Sequence, residues 1–471
     1  MPFGIPVPIP QFGLTSEGDV RNVLVVVIDD MGREQVRSSG KAADSAGYAP
    51  QPVLDGLAAR GVTFTRAYSA PACSMTRACA QTGRYGFHGG WGSLIESSQQ
   101  PILLDETCLP RMITQATGGV TRSACFGKWH VSTFANGRER HPVLSGYERW
   151  RGSLRNLERG SEDYYSWNRV EDDRGGPGPV VRRCDRWAVS QNVDDCLEWV
   201  SEVKENWFAW VALNVPHTPY QRPPAGLYDE SLYSLPTRDP ANSALGTVTP
   251  YFKAMIQAMD TEIGRLLDGL GADVLGNTYV IVLADNGTTG AVVHSPYSAA
   301  HAKGTVYELG CNVPLIVAGP TVDLPGRSCS ELVHVVDLPK TIVELLGGDW
   351  TKVTTKTPYD GVSFRNFVES RSSPVQRVSL LLETFSPNGP NLNAAADGQR
   401  AMVGPQYKLV WKQPGVTLPD TTSPVSEFYD LLADPNETVN LTPAGSTAPL
   451  TAPQLAQYNS LASAAATLLS T

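Results

Sequence analysis

The chain has 471 residues, of which 41% are hydrophobic and 18% charged, and it carries a formal net charge of −9. This composition can bury a sizeable core and excludes an intrinsically disordered chain. The mildly acidic balance and the lack of basic runs argue against a nucleic-acid-binding protein.

Residues 1–20 form a proline-rich lead-in to the first predicted strand. This start has no basic segment ahead of its apolar stretch, so it does not read as a secretory signal. No later apolar run reaches the roughly 20 residues that a membrane-spanning helix needs. The eight cysteines form no Cys-x-x-Cys pair, although their even number permits disulfides. We therefore expect a cytoplasmic protein with reduced cysteines and no membrane segment.

Short apolar runs rich in β-branched residues predict strands that are buried on both faces of a sheet. These runs lie at 22–30, 62–68, 208–215, 278–284 and 313–318. Between them, apolar residues recur at helical spacing over 251–270 and, more briefly, over 337–346. Strands that alternate with helices predict βαβ units, and therefore an α/β domain with a mostly parallel sheet.

The segment 149–186 departs from this alternation. It is rich in Arg, Asp, Glu, Gly and Tyr, and its apolar residues show little periodicity. The pattern predicts a long excursion over the active face, such as a lid or a substrate loop.

The alternation also stops after about residue 353. The segment 407–412 predicts an exposed strand, 428–432 a strand or turn, and the Ala- and Leu-rich tail from 455 a closing helix. The sequence thus predicts three parts: the lead-in over 1–20, an α/β domain over 21–352 and a small α+β subdomain over 353–471.

Acidic and amide side chains follow two of the predicted strands. Asp29 and Asp30 end the first run, and Asp285 and Asn286 follow the strand at 278–284. The carboxyl ends of parallel strands meet at one edge of a sheet, where α/β proteins place their ligands. Adjacent carboxylates at a buried strand end need neutralisation, and a hard divalent cation takes such oxygen ligands. The alternatives are a helix-capping strand end for the two acids and a simple turn for the Asn-Gly pair.

A cysteine and an arginine share one face of a predicted helix. Cys73 lies where the strand at 62–68 turns into a helix, and Arg77 follows four residues later. A helix N-terminus favours anionic oxygens, and a guanidinium beside a nucleophile suits a tetrahedral anion such as sulfate or phosphate. The alternative is a buried structural cysteine.

An ordered set of motifs extends over nearly the whole chain. It comprises Cys73-Ser-Met-Thr-Arg77 with Thr82-Gly-Arg84, Phe126-Gly-Lys128-Trp-His130, Pro216-His217-Thr-Pro219, Ala284-Asp285-Asn286-Gly287, Lys303-Gly-Thr-Val-Tyr307-Glu308 and a C-terminal segment from Tyr429 to Leu441. In this set the sequence resembles the sulfatase family of the alkaline phosphatase superfamily. The family signature is Cys-x-Pro-x-Arg followed by Thr-Gly-Arg, and Met75 stands here at the position of the proline. Leu309 likewise replaces a glycine that is usual after Tyr-Glu.

The resemblance implies an alkaline phosphatase-like fold with helices on both faces of the sheet. It also implies that Cys73 is converted after translation to formylglycine, whose hydrate is the nucleophile, by formylglycine-generating machinery. One divalent cation, expected to be Ca²⁺, would be held by Asp29, Asp30, Asp285, Asn286 and an oxygen of modified residue 73.

The same resemblance implies roles around the sulfate for the basic residues of the motifs. Arg77 and Lys128 would brace the nucleophile and offset negative charge. His217 or Lys303 would protonate the leaving group, and His130 would take a proton from the second hydroxyl of residue 73. Lys128 and His130 alternate on an extended segment and should therefore share a face.

The function that the resemblance implies is hydrolysis of sulfate monoesters, with a small-molecule or saccharide sulfate ester as substrate. One alternative is a phosphonate monoester or phosphodiester hydrolase of the same superfamily. Such relatives often carry a metal-binding histidine where this chain has Asn286, which favours sulfate. The other alternative, supported by Met75, is a non-catalytic sulfatase-like protein that binds an anion with Cys73 unmodified. Four further residues are candidates for the substrate pocket or for ordinary core and surface positions: His88, Trp91, His294 and His301.

Overall fold

The structure is a computed structural model that describes residues 21–95, 101–157, 162–389, 397–412, 426–443 and 446–471. The lead-in predicted over 1–20 lies outside these residues. The described helices are α1 Pro52–Arg60, α2 Cys73–Thr82, α3 Gly86–Gly89, α4 Leu109–Thr117, α5 His141–Leu144, α6 Ala188–Glu202, α7 Leu245–Gly276, α8 Glu308–Cys311, α9 Leu338–Leu345, α10 Arg365–Glu369 and α11 Ala452–Leu469.

A ten-stranded sheet forms the centre of the described structure. Its strands are β1 Asn22–Ile28, β2 Gly61–Phe64, β4 Arg122–Gly127, β5 Arg149–Gly152, β6 Trp167–Asp173, β7 Val180–Cys184, β8 Trp207–Ala212, β9 Thr278–Ala284, β10 Leu315–Ala318 and β11 Arg327–Cys329. They lie side by side in the order β11-β2-β10-β9-β1-β8-β4-β5-β6-β7. Only β10 and β6 run against both of their neighbours, so the sheet is mostly parallel, as the alternating pattern predicts. A separate parallel pair joins β3, Ala67–Tyr68, to β12, Val333–His334.

The central strand β1 explains why its sequence is continuously apolar. Val23, Val25 and Val27 belong to the core on one face of the sheet, together with residues of α2, α4 and α9. Leu24 and its alternate neighbours belong to the core on the other face, with residues of α1, α6 and α7. Helices therefore cover both faces, and the predicted α/β fold class is confirmed.

Two predicted elements have different bounds in the structure. The strand predicted over 62–68 is divided, because a turn after Phe64 separates β2 from β3. The helix predicted over 251–270 is longer: α7 begins at Leu245 and includes a break at Gly271, whose φ is +76°. None of the described helices is both long and apolar enough to span a membrane. All eight cysteines are unpaired.

The prediction of an irregular excursion over 149–186 is wrong for the residues that the structure describes. This segment contributes β5, β6 and β7, which extend one edge of the central sheet. Its weak periodicity has a physical cause, since these edge strands are covered in part by ion pairs instead of apolar side chains. Arg149 and Arg151 both contact Asp173, at 3.1 and 2.8 Å.

The C-terminal part contains a four-stranded antiparallel sheet and the closing helix that the sequence predicts, so it has the predicted α+β character. The strands, in their order across the sheet, are β13 Leu380–Ser386, β14 Asp397–Val403, β15 Tyr407–Trp411 and β16 Ser426–Asp430. The prediction that 407–412 is an exposed strand is wrong, because Lys408 to Trp411 are buried. Leu409 packs toward Tyr458 of α11, and Val410 packs toward Tyr307 of the large domain. Both faces of the small sheet are therefore covered. The boundary at residue 353 stays a prediction.

A buried ion network connects this small sheet to the large domain. The Nζ atom of Lys408 lies 3.2 Å from Glu308 Oε1 and 2.8 Å from Glu437 Oε1. The backbone N–H of Glu308 donates to Glu437 Oε2 at 2.6 Å. Glu308 begins α8 directly after the loop that contains Lys303, so the C-terminal subdomain fixes the end of that loop.

Candidate active site

The ends of β1 and β9 place the four predicted oxygen donors together. These strands are parallel neighbours with Ile28 opposite Ala284, so the residues that follow them leave the sheet side by side. The backbone N–H of Asp30 donates to Asp285 Oδ1 at 3.3 Å, and the Asn286 amide donates to Asp30 Oδ1 at 2.7 Å. Asp30 has a φ of +69°, which turns the chain sharply at the strand end. All of these side chains are buried.

Two oxygen atoms of this cluster have no hydrogen-bond partner. Asp29 Oδ1 and Asn286 Oδ1 are buried and unpartnered. Ligand atoms of Asp29, Cys73 and Asp285 lie within 4.8 Å of one another, and so do those of Asp29, Asp30 and His217. Unpartnered buried oxygens are costly, and a hard cation satisfies them. The residues therefore fit the predicted divalent cation.

Cys73 begins α2, as predicted, and is completely buried. Its Sγ atom lies 3.4 Å from His130 Nδ1. Burial raises the pKa of the Cys73 thiol. Met75 occupies the first turn of the same helix, where backbone N–H groups have no intrahelical partner and proline and methionine are both compatible. Its side chain packs against Ala70 and Ala72, so the replacement leaves the start of the helix intact.

Arg77 lies one turn after Cys73 and connects two parts of the cluster. Its guanidinium donates to Asp285 Oδ2 from two nitrogens, at 3.0 and 2.7 Å, and to the carbonyl oxygen of Lys128 at 2.7 Å. Burial and the Asp29 carboxylate raise the pKa of Asp285 to about 6 against the pull of Arg77. A divalent cation bound at the same oxygens would hold this carboxyl ionised.

Two lysines pair with the two adjacent carboxylates. Lys128 Nζ lies 2.5 Å from Asp29 Oδ2, and Lys303 Nζ lies 2.6 Å from Asp30 Oδ1. Burial raises the pKa of the Asp30 carboxyl, but Lys303 and His217 outweigh this effect and hold the pKa below its usual range. Burial lowers the pKa of Lys303, yet Asp30 outweighs it and raises that pKa above its usual range.

Both predicted histidines reach the cluster. His130 has a φ of +63°, and burial together with the charges of Lys128 and Arg77 holds its pKa well below the usual range. His217 Nε2 lies 3.7 Å from Asp30 Oδ2, and burial lowers the pKa of His217 to about 4 although Asp30 raises it. Both imidazoles are therefore neutral near pH 7 and can accept a proton.

Glycines on two motifs allow the backbone to pack closely behind the cluster. A Cβ atom at Gly127 would lie 1.9 Å from the carbonyl oxygen of Ala212, and Gly127 has a φ of +87°. A Cβ atom at Gly287 would lie 1.8 Å from the carbonyl oxygen of Leu309. Glycine at these positions sets the approach of Lys128 and Asn286 to the site.

One residue that sequence reasoning missed supports the His217 loop. The Tyr164 hydroxyl donates to the carbonyl oxygens of Asn214 and His217, the latter at 2.7 Å. Asn214 in turn donates to Ser153 Oγ at 3.0 Å. Tyr164 lies in the segment before β6, where no motif distinguishes it, so its role becomes visible only with the tertiary contacts.

The four further pocket candidates have other partners in the structure. His88 lies 2.9 Å from Asp360, and Trp91 is a buried core residue whose indole N–H donates to Pro101. His294 lies 2.8 Å from Thr249, and His301 stacks on Tyr307 with ring centroids 3.8 Å apart. These partners do not belong to the cluster of acids and lysines at the strand ends. The contacts therefore favour the interpretation of the four residues as ordinary core and surface positions.

The formal charges of the acidic and basic side chains in the site sum to zero. The three carboxylates of Asp29, Asp30 and Asp285 face the three cations of Arg77, Lys128 and Lys303. A divalent ion at the unpartnered oxygens would give the site a net positive charge. Such a site suits a tetrahedral anion whose charge increases in the transition state.

Comparisons with known proteins identify the family to which this chain belongs. A family model described as Sulfatase matches residues 21–348. Arylsulfatase J of Mus musculus is 26% identical over 353 residues, which cover 72% of this chain and 54% of that protein. The match thus spans about half the length of this curated relative.

Solved structures share the fold at low identity. Ps i-CgsB, in complex with k-i-k-neocarrahexaose, has a TM-score of 0.73 at 18% identity, and the match covers 96% of this chain and 93% of that one. Phosphonate monoester hydrolase of Agrobacterium radiobacter has a TM-score of 0.69 at 18% identity, covering 95% and 96%. The fold is therefore that of the sulfatases and of this phosphonate hydrolase. The family model covers most of the chain, and the chain belongs to the sulfatase family.

Proposed function

We propose that this protein hydrolyses sulfate monoesters to an alcohol or phenol and inorganic sulfate. One observation carries the proposal: Asp29, Asp30, Asp285 and Asn286 converge beside Cys73. Cations and neutral histidines surround this cluster. Membership of the sulfatase family supports the same activity.

Two groups that the residues imply would complete the site. Asp29, Asp30, Asp285 and Asn286 would hold one divalent cation, with Ca²⁺ expected because these four residues offer only oxygen ligands. When bound, the cation supplies positive charge to the sulfate and lowers the pKa of the nucleophilic hydroxyl. Residue 73, as formylglycine hydrate, supplies that hydroxyl and a second one that allows sulfate to be released.

The chain's own cations bind and orient the anion. Arg77 is fixed by two hydrogen bonds to Asp285 and one to the Lys128 carbonyl, so its position beside residue 73 is set before substrate arrives. Lys128 and Lys303 provide ammonium groups on either side of the paired acids. Preorganised charge of this kind is worth more in a buried site than in water.

His130 is the residue placed to remove a proton from residue 73. Its Nδ1 atom lies 3.4 Å from the Cys73 Sγ position, which stands in for the oxygens of the converted residue. The imidazole is neutral, because burial and nearby cations hold its pKa low. It can therefore accept the proton whose removal releases sulfate.

Lys303 is better placed than His217 to protonate the leaving group. His217 Nδ1 lies 2.6 Å from the carbonyl oxygen of Thr218, which can only accept, so Nδ1 holds the ring proton. Nε2 of the neutral ring then faces Asp30 as an acceptor. Lys303 carries its protons on a side chain that is 18% exposed and so lies at the solvent side of the cluster.

A phosphonate monoester or phosphodiester hydrolase is the second candidate. The likeness to the Agrobacterium radiobacter phosphonate monoester hydrolase favours it, with a TM-score close to that of Ps i-CgsB. The amide of Asn286 opposes it, since such relatives often carry a metal-binding histidine at this position. A non-catalytic anion-binding protein with an unmodified Cys73 is a third candidate, for which Met75 is the supporting residue.

The partners follow from the proposed chemistry. The substrate is a sulfate ester of a small molecule or a saccharide, and the carrahexaose bound by Ps i-CgsB supports the saccharide. Formylglycine-generating machinery would act on Cys73, in the cytoplasmic setting that the sequence predicts.

The test combines the chemical state of residue 73 with turnover. We expect mass spectrometry of the peptide around residue 73 to show aldehyde or its hydrate, and the same preparation to hydrolyse 4-nitrophenyl sulfate. Cys73→Ala should abolish turnover while Cys184→Ala, at a half-exposed cysteine of β7, leaves it unchanged. Full turnover by protein that contains only the thiol would overturn the formylglycine mechanism, and converted protein that hydrolyses no sulfate ester would overturn the proposed function.

A further inference from the structure

A cavity of about 370 Å³ is lined in part by residues 222–225, which follow His217 in the same connection after β8. The loop residues Pro223, Pro224 and Ala225 give it an apolar wall, and Tyr165 and Tyr228 contribute aromatic rings. The volume falls within the range of small-ligand sites, roughly 300–1,000 Å³. Sugar rings suit such a lining, because their C–H faces pack on apolar walls while their substituents hydrogen-bond at the rim.

Two arginines give the cavity its anion-binding character. The Arg222 side chain is exposed and donates from Nη1 to the carbonyl oxygen of Leu235 at 3.2 Å. No carboxylate in the described part of the chain lies within ion-pair distance of Arg222. Arg238 lies over the Tyr165 ring, 5.9 Å from its centroid, and is partly neutralised by Asp163 at 3.1 Å. Arg222 is therefore the cation with most charge available to a ligand.

One acidic residue opposes this charge. Glu230 also lines the cavity and is exposed. An anionic ligand on Arg222 would be repelled by Glu230, so the two side chains should affect its binding in opposite directions.

The cavity and the active-site cluster share their supporting segments. Tyr164 holds the His217 loop through its hydroxyl, whereas the next residue, Tyr165, faces the cavity and donates to the Arg222 carbonyl at 2.7 Å. Gln221, which precedes Arg222, accepts from the Tyr164 N–H at 3.1 Å. Ligand in the cavity therefore lies on the same two segments that position His217.

We propose that this cavity is a saccharide subsite that binds an anionic sugar unit of a substrate chain through Arg222. The inference rests on the proposed sulfatase activity only for the sulfate that is cleaved at residue 73. It names the substrate class as a polyanionic saccharide. The sulfate to be cleaved occupies the catalytic cluster, while a neighbouring unit with its own sulfate or carboxylate occupies the cavity.

Binding is measured without turnover in the Cys73→Ser protein. Calorimetry with a sulfated tetrasaccharide should show about tenfold weaker binding for Arg222→Ala, the effect of losing one charge-assisted hydrogen bond. Glu230→Gln should bind a few-fold more tightly. Arg182→Ala, at an exposed arginine of β7, is the matched control and should bind within twofold of the parent. Folding of each variant is checked by its thermal unfolding midpoint.

Two ligands separate the sources of the anionic group. The second ligand is a desulfated tetrasaccharide that contains uronate. If Arg222→Ala weakens its binding, the subsite recognises a carboxylate. If Arg222→Ala weakens only the binding of the sulfated ligand, the subsite recognises a sulfate. Equal binding of both ligands by the parent, Arg222→Ala and Glu230→Gln proteins would overturn the proposal.

A kinetic comparison distinguishes failure of the subsite from failure of the proposed function. In the converted enzyme, Arg222→Ala should raise KM for the sulfated tetrasaccharide about tenfold and leave kcat/KM for 4-nitrophenyl sulfate unchanged. Absence of any sulfatase turnover would contradict the proposed function. The binding measurements would still show whether the cavity is a saccharide subsite. An equal loss on both substrates would assign Arg222 to the support of the His217 loop and overturn the subsite.

Discussion

Arg77 and Asp285 form a buried ion pair in which two guanidinium nitrogens donate to one carboxylate oxygen, at 3.0 and 2.7 Å. Arg77 comes from the helix that begins with Cys73, and Asp285 directly follows β9, a strand of the central sheet. The pair therefore links the nucleophile's helix to the oxygen cluster. The other Asp285 oxygen accepts only a 3.3 Å contact from the Asp30 N–H and is the atom most available to a cation.

Removing Arg77 should damage both stability and catalysis. Arg77→Ala leaves a buried carboxylate unpaired, so we expect the free energy of unfolding to fall by about 3–5 kcal/mol. Arg77→Lys keeps the charge but loses the two-nitrogen geometry, and we expect kcat to fall about 100-fold with a smaller loss of stability. Urea unfolding and 4-nitrophenyl sulfate kinetics measure the two effects. Arg37→Ala, whose exposed pair with Asp55 has a 3.7 Å separation, should change stability by under about 1 kcal/mol.

Asp285 should be required for the bound ion. Asp285→Asn removes a charged ligand next to the unpartnered oxygens, so we expect less than about one tenth of the wild-type metal content and a comparable loss of activity. Asp260→Asn is the matched control, because Asp260 is an equally buried carboxylate that accepts from the backbone N–H groups of Val53 and Leu54 at 2.9 Å. It should lose stability and keep its metal. Equal metal content in the wild type and Asp285→Asn would refute the assignment of this ligand.

His130 should act after the leaving group has departed. If it removes the proton that releases sulfate, His130→Gln will form alcohol in the first turnover and then stall. Rapid-mixing kinetics should show a burst of 4-nitrophenol of about one equivalent per converted residue 73, followed by turnover at least about 100-fold slower than in the wild type. A variant without a burst, slowed equally in both phases, would place His130 in the first step instead.

His141 should make the protein sensitive to mild acid. The indole N–H of Trp129, which lies between Lys128 and His130, donates to His141 Nδ1 at 2.9 Å. Burial lowers the pKa of His141 to about 3 from an ordinary value of 6.5. The neutral form is therefore the native one, so its stabilising effect is complete above pH 6.5 and is lost as the pH falls toward 3. Between pH 6.5 and 5 this one group should remove about 2 kcal/mol from the free energy of unfolding.

The control for this pH effect is His141→Gln, which retains an acceptor but cannot bind the proton. Its free energy of unfolding should fall about 2 kcal/mol less than that of the wild type over the same interval. Parallel pH profiles for the two proteins would show that His141 does not titrate in this way.

The sequence alone predicts the elements whose apolar pattern is local. The burial of β1 on both faces, the strand β9 and the helix start at Cys73 follow from the apolar runs and from local preferences. The convergence of Asp29 with Asp285 also follows, because it needs only that two parallel strands end at one edge. The ligand and lysine roles required the family resemblance as well.

Other features depend on contacts that no local pattern specifies. The described part of 149–186 contains three edge strands whose charged pairs hide their period. Lys408 is buried because α11 and the large domain cover a strand that the sequence predicts to be exposed. Tyr164 and the cavity near Arg222 arise from two segments that meet only in the folded chain. Long-range packing therefore determines the substrate side of the site, while the catalytic cluster follows from motifs.

The most direct measurement compares matched 4-nitrophenyl esters on enzyme whose residue 73 is confirmed as formylglycine. A sulfate monoester offers three non-bridging oxygens to the cations of Arg77, Lys128 and Lys303, whereas the second organic group of a phosphodiester would displace one such contact. We expect kcat/KM for 4-nitrophenyl sulfate to exceed that for bis(4-nitrophenyl) phosphate and for 4-nitrophenyl phenylphosphonate. A clear preference for the phosphodiester or the phosphonate would contradict the proposed sulfatase and assign the site to the second candidate function.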